Sequence, residues 1–224
     1  GMLGGLAGSD APGEPNESIA QLFKQESAVA ALDRRNRFML TATFGLAGSL
    51  LIRAGSDDPK APDMVHLKSK RKGKSSPVPV LSGTSLAGAL RARGLRIANT
   101  VSGESGKITS FIDCLFGKRM EDSTIQPVAG RLWVEETEVR DPLELVVTRV
   151  KIDRFTGGSY PGALFNQQPL FGVDETRIDI ELMVEKPKDE DIGLLLLLLK
   201  DLWTEDLPLG GEASVGRGRL KGKT

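Results

Sequence analysis

Between Met64 and Gly103 the chain carries eight lysines and arginines and no acid. Five crowd into one stretch (Lys68, Lys70, Arg71, Lys72 and Lys74), and Arg91, Arg93 and Arg96 follow further on. Cations grouped this way suit a polyphosphate, because neutralising several phosphates at once releases their counterions. They equally suit a solvated loop followed by a solvated helix face, and the charge run alone does not separate the two. A second stretch, Ser82–Gly94 (SGTSLAGALRARG), sets small and hydroxyl residues before an apolar-periodic run. Open amide N–H groups at the positive end of a helix bind phosphate readily, although an ordinary capped helix reads the same way. A third is the tail GGEASVGRGRLKGK, 210–223. Its glycines let main chain approach a ligand closely, and Arg217 and Arg219 supply charge. It does not contain the G-x-x-x-x-G-K-[ST] phosphate loop.

Two further stretches could carry chemistry. Asp57, Asp58 and Asp63 could hold a hard divalent ion or orient a 2′-hydroxyl. For the first two, Ser-Asp-Asp-Pro is a turn sequence in its own right. Lys151–Phe171 is rich in Gly and Pro and carries Phe155, Tyr160 and Phe165. It suits either a projection that wedges between bases or docks on a neighbour, or an insertion that packs on its own domain.

The elements that must position these residues follow from periodicity. Residues 1–16 read as a flexible Gly/Ala/Pro leader and 18–32 as a short surface helix. Strands are expected over 37–46, 64–67, 131–139 and 177–184, the last with Ile178, Ile180, Leu182 and Val184 on one face. Helices are expected over 86–100, capped by Thr84 or Ser85, over 109–116 ending at Gly117, and over 188–203 with acids in its first turn. Residues 156–171 form a long excursion and 209–218 a glycine-rich loop. The leucine run at 194–199 exceeds one stripe and predicts a helix buried on more than one side. The order strand, helix, strand, strand, helix and glycine-rich end gives an α+β fold resembling βαββαβ. Residues 1–36 are then a leader with a short helix, and 37–224 one elaborated domain with insertions at about 54–80 and 151–172.

Composition removes several function classes. Thirty basic and thirty acidic residues cancel, so net charge gives no sign of nucleic-acid binding and only the placement of charge can. Aromatics are 5% of residues, too few for a broad stacking surface. One cysteine, Cys114, and one histidine, His66, exclude a disulfide framework, a thiolate zinc site and a nuclease with two catalytic histidines. Cys114 is expected in the core, and His66 as a structural or surface residue rather than a base. There is no secretion signal and no membrane-length apolar run. A reducing, cytoplasmic setting is expected.

Three motifs in order carry a family likeness. PVPVLSGTSLAGALRARG resembles a Pro-containing strand followed by Pro-Gly-Thr/Ser-Ser-Leu and Lys/Arg-Gly-Ala-Leu-Arg, and VKIDRFTGGSYPGALF resembles Ile-Asp-Arg-x-Thr-Gly … Gly-x-Leu-Phe. LPLGGEASVGRGRL resembles the loop Leu-Gly-Gly-x-x-Ser-x-Gly-x-Gly. The chain is thereby similar to the CRISPR-associated RAMP superfamily, above all to the guide-RNA-binding backbone subunits of type III effector complexes. That resemblance implies a modified ferredoxin-like (RRM-like) domain. It places Ser82, Gly83, Thr84, Ser85, Arg91 and the loop Gly210–Gly218 (Gly210, Gly211, Ser214, Gly216, Arg217, Gly218) against RNA, flanked by the basic residues Lys68, Lys70, Arg71, Lys72, Lys74, Arg93 and Arg219. The region 156–165 becomes a thumb.

The implied partners are guide RNA, target RNA and other effector subunits, with no membrane. Some members cut target RNA with metal help. Here Asp63 would be the counterpart of their aspartate, and Mg²⁺ the cofactor. The sequence departs from the pattern where Leu-Ser-Gly replaces Ile-Pro-Gly and in its lysine-rich loop. Two alternatives stand beside this one: a guide-processing endoribonuclease, for which only His66 is available, and an architectural subunit without RNA chemistry.

Overall fold

The computed structural model describes residues 36–55, 58–102, 105–118 and 129–223. The chain divides into two units, residues 1–36 and 37–224, and the second carries the sheets and helices that follow. The helix expected over 18–32 and Asp57 lie outside the described residues.

The architecture is mixed α+β, built on antiparallel sheets. Strand β1 (Arg37–Ala47) pairs along most of its length with β13 (Arg177–Glu185), so that Leu40 faces Leu182 and Phe44 faces Ile178. The period of two expected of 177–184 is realised: Ile178, Ile180, Leu182 and Val184 are buried, and Asp179 and Glu181 are exposed. Strand β14 (Arg219–Gly222) adds to the other edge of β1. The far edge of β13 takes β7 (Leu132–Val134) and β8 (Thr137–Arg140), and beyond β8 come β6 (Val78–Leu81) and β5 (Lys68–Ser69). Helices α1 (Gly83–Ser102), α2 (Ser105–Phe116) and α3 (Asp189–Trp203) share one core with the apolar strand residues. In it Leu86 and Leu90 of α1 and Leu195, Leu198 and Leu202 of α3 are fully covered. The Phe44 and Trp203 rings meet edge-on with centroids 5.7 Å apart.

Two small sheets extend this core. One joins β10 (Val147–Ile152), β11 (Ser159–Gln168), β4 (Met64–His66) and β3 (Arg53–Ala54) in that order. The other joins β2 (Ser49–Leu50), β12 (Leu170–Phe171) and β9 (Leu143–Glu144). The β10–β11 hairpin is the excursion expected near 151–171. Phe155 at its tip is fully exposed, Tyr160 is exposed and Phe165 is half-buried.

Local details depart from the sequence expectations for identifiable reasons. Helix α1 begins at Gly83, and its cap is Ser82 rather than Thr84 or Ser85. The Ser82 hydroxyl accepts the Ser85 N–H at 3.3 Å, which starts the helix earlier. A side chain at Gly83 would place its Cβ 2.4 Å from the Val134 carbonyl oxygen, so the turn into α1 admits only glycine. The strand expected over 131–139 is broken at Glu135–Glu136, because β7 and β8 meet β13 in different registers. The leucine run buries one stripe, not several: Leu196 and Leu197 are 51% and 44% exposed. Cys114 is exposed rather than core, since α2 buries Ile108, Ile112 and Leu115 at helical spacing instead.

At the start of α3 the fully buried Asp191 carboxylate accepts the Lys188 N–H at 2.9 Å and two Arg131 N–H groups at 2.8 and 3.0 Å. The Asp191 contact to Lys188 is one half of a capping box, and the Arg131 pair ties α3 to the residue that leads into β7. His66 is buried at 2% exposure and structural. Its Nδ1 accepts the Ile52 N–H at 3.2 Å, which leaves Nε2 to donate to the Val80 carbonyl at 2.9 Å. Burial holds its pKa below the ordinary value, against the opposing pull of the Val80 carbonyl. No helix among the described residues is long and apolar enough to cross a membrane.

Candidate nucleic-acid interface

The glycine-rich loop 209–218 docks on a short extended segment, Ser49–Arg53. The Gly211 N–H donates to the Leu51 carbonyl at 2.8 Å and the Gly218 N–H to the Ser49 carbonyl at 2.7 Å. From the other stretch, the Leu67 N–H donates to the Ile52 carbonyl at 2.8 Å, and Arg53 stands opposite His66 in the β3–β4 pair. The tail and the beginning of the basic stretch thus meet on the same five-residue segment, Ser49–Arg53. The glycines make this contact possible. Gly210 (φ +75) and Gly218 (φ +80) are in the left-handed region, and a Cβ would lie 2.7 Å from the Leu51 oxygen and 1.9 Å from the Leu209 oxygen. Close approach at these two positions is to the protein's own main chain. Ser214, within the 3₁₀ turn Ala213–Val215, and Gly216, just after it, are exposed, and Gly216 faces open space.

The loop places Glu212 at the centre of three arginines. Arg217 Nε lies 3.2 Å from Glu212 Oε2, Arg149 Nη1 3.7 Å from the same oxygen, and Arg53 Nη2 3.8 Å from Oε1. Gln167, fully buried, donates its Nε2–H to Oε1 at 2.7 Å. Arg53 comes from β3, Arg149 from β10 and Gln167 from β11, so three elements and the loop converge. Side-chain exposure runs from 55% at Arg53 through 33% at Arg149 to 5% at Arg217, so the cluster has a mouth and a floor. Burial alone would raise the Glu212 pKa, but the Gln167 amide, then Arg217, Arg149 and Arg53, outweigh it and hold the carboxyl below its ordinary value. Arg217 is lowered by burial and by Arg149, opposed by Glu212. A guanidinium stays charged under such a shift. Three fixed cations therefore face one carboxylate.

The expected basic residues are arranged differently. Lys68 pairs with Glu144 at 2.7 Å, Lys74 with Glu138 at 3.0 Å, and Arg71 with the Glu136 carboxylate at 3.2 Å and its carbonyl at 2.7 Å. Lys70 and Lys72 are exposed and form no ion pair among the described residues. In α1, Arg91 binds the Asp113 carboxylate and the Gly117 carbonyl, tying α1 to the end of α2. Arg93 donates to Asp201 of α3 at 2.7 Å. Both arginines brace the helical layer. Ser82, Thr84 and Ser85 bond one another at the helix start, with Thr84 exposed. Arg219 donates to the Glu205 carbonyl.

Asp63 accepts the Asn166 N–H on Oδ2 at 2.8 Å, so its carboxylate holds the root of the hairpin. Among the described residues no group of three His, Cys, Asp or Glu could hold a metal ion. A hard divalent cation takes several oxygen ligands, and one carboxylate with an oxygen already committed does not fit it. Asp58 instead accepts the Lys60 N–H at 2.9 Å within its turn.

Four residues central to the cluster, Arg53, Arg149, Gln167 and Glu212, are not named individually among the sequence expectations, although Gln167 and Glu212 lie inside the stretches 151–171 and 210–223. They are scattered singly along the chain. One signal pointed at them: Glu212 is the sole acid between Leu207 and Thr224.

A family model of the RAMP superfamily matches residues 50–221, which takes in the helix start, the hairpin and the glycine-rich loop. The chain belongs to the RAMP superfamily. Among solved structures, this RAMP chain is similar to a chain of a structure described as "Type IV-B CRISPR Complex", with a TM-score of 0.63 and 17% identity. The likeness covers 83% of the RAMP chain and 90% of the other, and at that identity it is one of fold. No curated relative matches.

Proposed function

We propose that the protein is a guide-RNA-binding backbone subunit of a multi-subunit CRISPR effector complex, working in the cytoplasm. The observation that carries this is the cluster of Arg53, Arg149 and Arg217 on the glycine-rich loop, where cations outnumber carboxylates three to one in a partly desolvated setting. RAMP membership and the fold likeness to a chain of a type IV-B CRISPR complex support the assignment to an effector complex. The three ordered motifs favour a type III system. The strand order β14-β1-β13-β8, with α1 after β1 and α3 after β13, is that expected of a ferredoxin-like βαββαβ core.

In this role phosphates are held at the arginine mouth, and Lys70 and Lys72 extend the positive path. The exposed pairs of Lys68, Arg71 and Lys74 are each worth about 0–1 kcal/mol, so a phosphate can exchange for their glutamates at small cost. The hairpin, with its exposed Phe155 and Tyr160, is the thumb that contacts bases or a neighbouring subunit.

The test is binding of a fluorescent single-stranded RNA to the purified chain across a salt series. Affinity should fall with a log–log slope of about −2, corresponding to about three neutralised phosphates on a single strand. Absent binding, or binding indifferent to salt, rejects an RNA role and leaves an architectural subunit.

A further inference from the structure

The three-arginine cluster has an imbalance that ordinary ion pairing does not explain. Glu212 Oε2 stands within 3.7 Å of two guanidinia yet accepts no hydrogen bond, and Arg217 Nη1 is buried without any acceptor. A buried donor left unpaired costs about 1–3 kcal/mol. Glu212 also holds a left-handed φ of 62°, a conformation uncommon for a residue with a side chain. The carboxylate is thus a loose fit in a nest of donors wider than it can reach. The nest opens outward through Arg53, which is 55% exposed. We propose that Glu212 is a built-in stand-in for phosphate, with which an RNA phosphodiester competes for Arg53, Arg149 and Arg217. This rests on the RNA-binding role proposed above and adds that the protein masks its own site. The ligand class follows from the donors: a tetrahedral oxyanion can engage several guanidinia from different directions, and it enters from the Arg53 side with Arg217 as the floor.

The experiment compares the wild-type chain with Glu212→Gln, which keeps the acceptor for Gln167 and removes the charge. With a fluorescent single-stranded RNA at low salt, Glu212→Gln should bind about fivefold tighter. Its salt slope should be steeper by about 0.7, one more phosphate contact. Adding Arg53→Ala and Arg149→Ala to that variant should erase the gain. If wild type binds RNA but the folded variant binds no tighter, the stand-in is overturned and the RNA-binding role survives. If wild type does not bind RNA, that role fails. Thermal melting with tripolyphosphate at constant ionic strength then decides the stand-in, and needs no variant that could misfold. Stabilisation of wild type, lost in Arg53→Ala/Arg149→Ala, supports an oxyanion site, and no shift in wild type overturns it.

Discussion

The lysine-rich loop 68–74 and the arginine cluster around Glu212 are both cationic, but they are built on opposite principles. In the loop, Lys68, Arg71 and Lys74 are each answered by a separate glutamate, in β9, at the break between β7 and β8, and in β8, with both partners of every pair at least partly open to water. In the cluster one carboxylate is shared by three guanidinia, and the deepest, Arg217, is 5% exposed. Charge that is dense along the chain is thus largely cancelled in space, and charge that is sparse along the chain is concentrated by folding. A phosphate gains more from a desolvated, uncancelled cation than from a solvated, paired one.

The comparison can be broken most sharply at Arg217. Arg217→Ala should lower the free energy of unfolding by about 3 kcal/mol in urea titration, since it empties a buried site and leaves Glu212 with the neutral Gln167 amide and two distant guanidinia. A loss under about 1 kcal/mol would make the cluster as slack as the loop. Next comes binding. Arg53→Ala/Arg149→Ala should weaken single-stranded RNA about tenfold at low salt, and Lys68→Ala/Lys74→Ala about threefold, both read by anisotropy. The reverse ranking would move the interface to the loop.

His66 joins the segment beneath the cluster to β6 beneath the loop and tests whether that common support matters. Its folded pKa lies below the unfolded one, so between the two values the unfolded chain binds the proton more strongly. The stabilisation is therefore full above the unfolded value and is lost as pH falls toward the folded one. Going from about pH 7.5 to about pH 5.5 should cost about 1 kcal/mol in wild type, and less in His66→Gln. The smallest effect belongs to Lys74→Ala, which should change stability by less than about 0.5 kcal/mol.

Much of the framework was legible because its determinants are local. Alternation exposed β13, the three acids of its first turn and the apolar stripe exposed α3, and Gly117 marked the end of α2. Ser49–Ile52 reads as an extension of the first strand, which β2 takes up, but the two-residue strands β9 and β12 were not legible, since pairing with distant partners defines them. Leu196 and Leu197 misled because composition counts leucines and packing admits only those on the inward stripe. At the site, glycine and arginine in the tail were readable as motifs, but their contacts were not. Nothing near Gly218 in sequence tells that it presses on Ser49 and Leu209. Arg53 and Arg149 reach Glu212 only because β3 and β10 belong to the same small sheet.

The hairpin is anchored at one end only. Arg149 and Gln167 tie its base to Glu212, the Asn166 N–H ties it to Asp63, and Gln167 pairs with Met64 in the parallel β11–β4 contact. Beyond Arg149 the strand β10 continues only through Val150–Ile152, about 10 Å of extended chain. A lever of that length converts a tilt of about 10° at the pivot into a sweep of about 2 Å where the strand enters the tip turn. Small rearrangements of a single carboxylate at the fulcrum are thereby geared up on the way to Phe155.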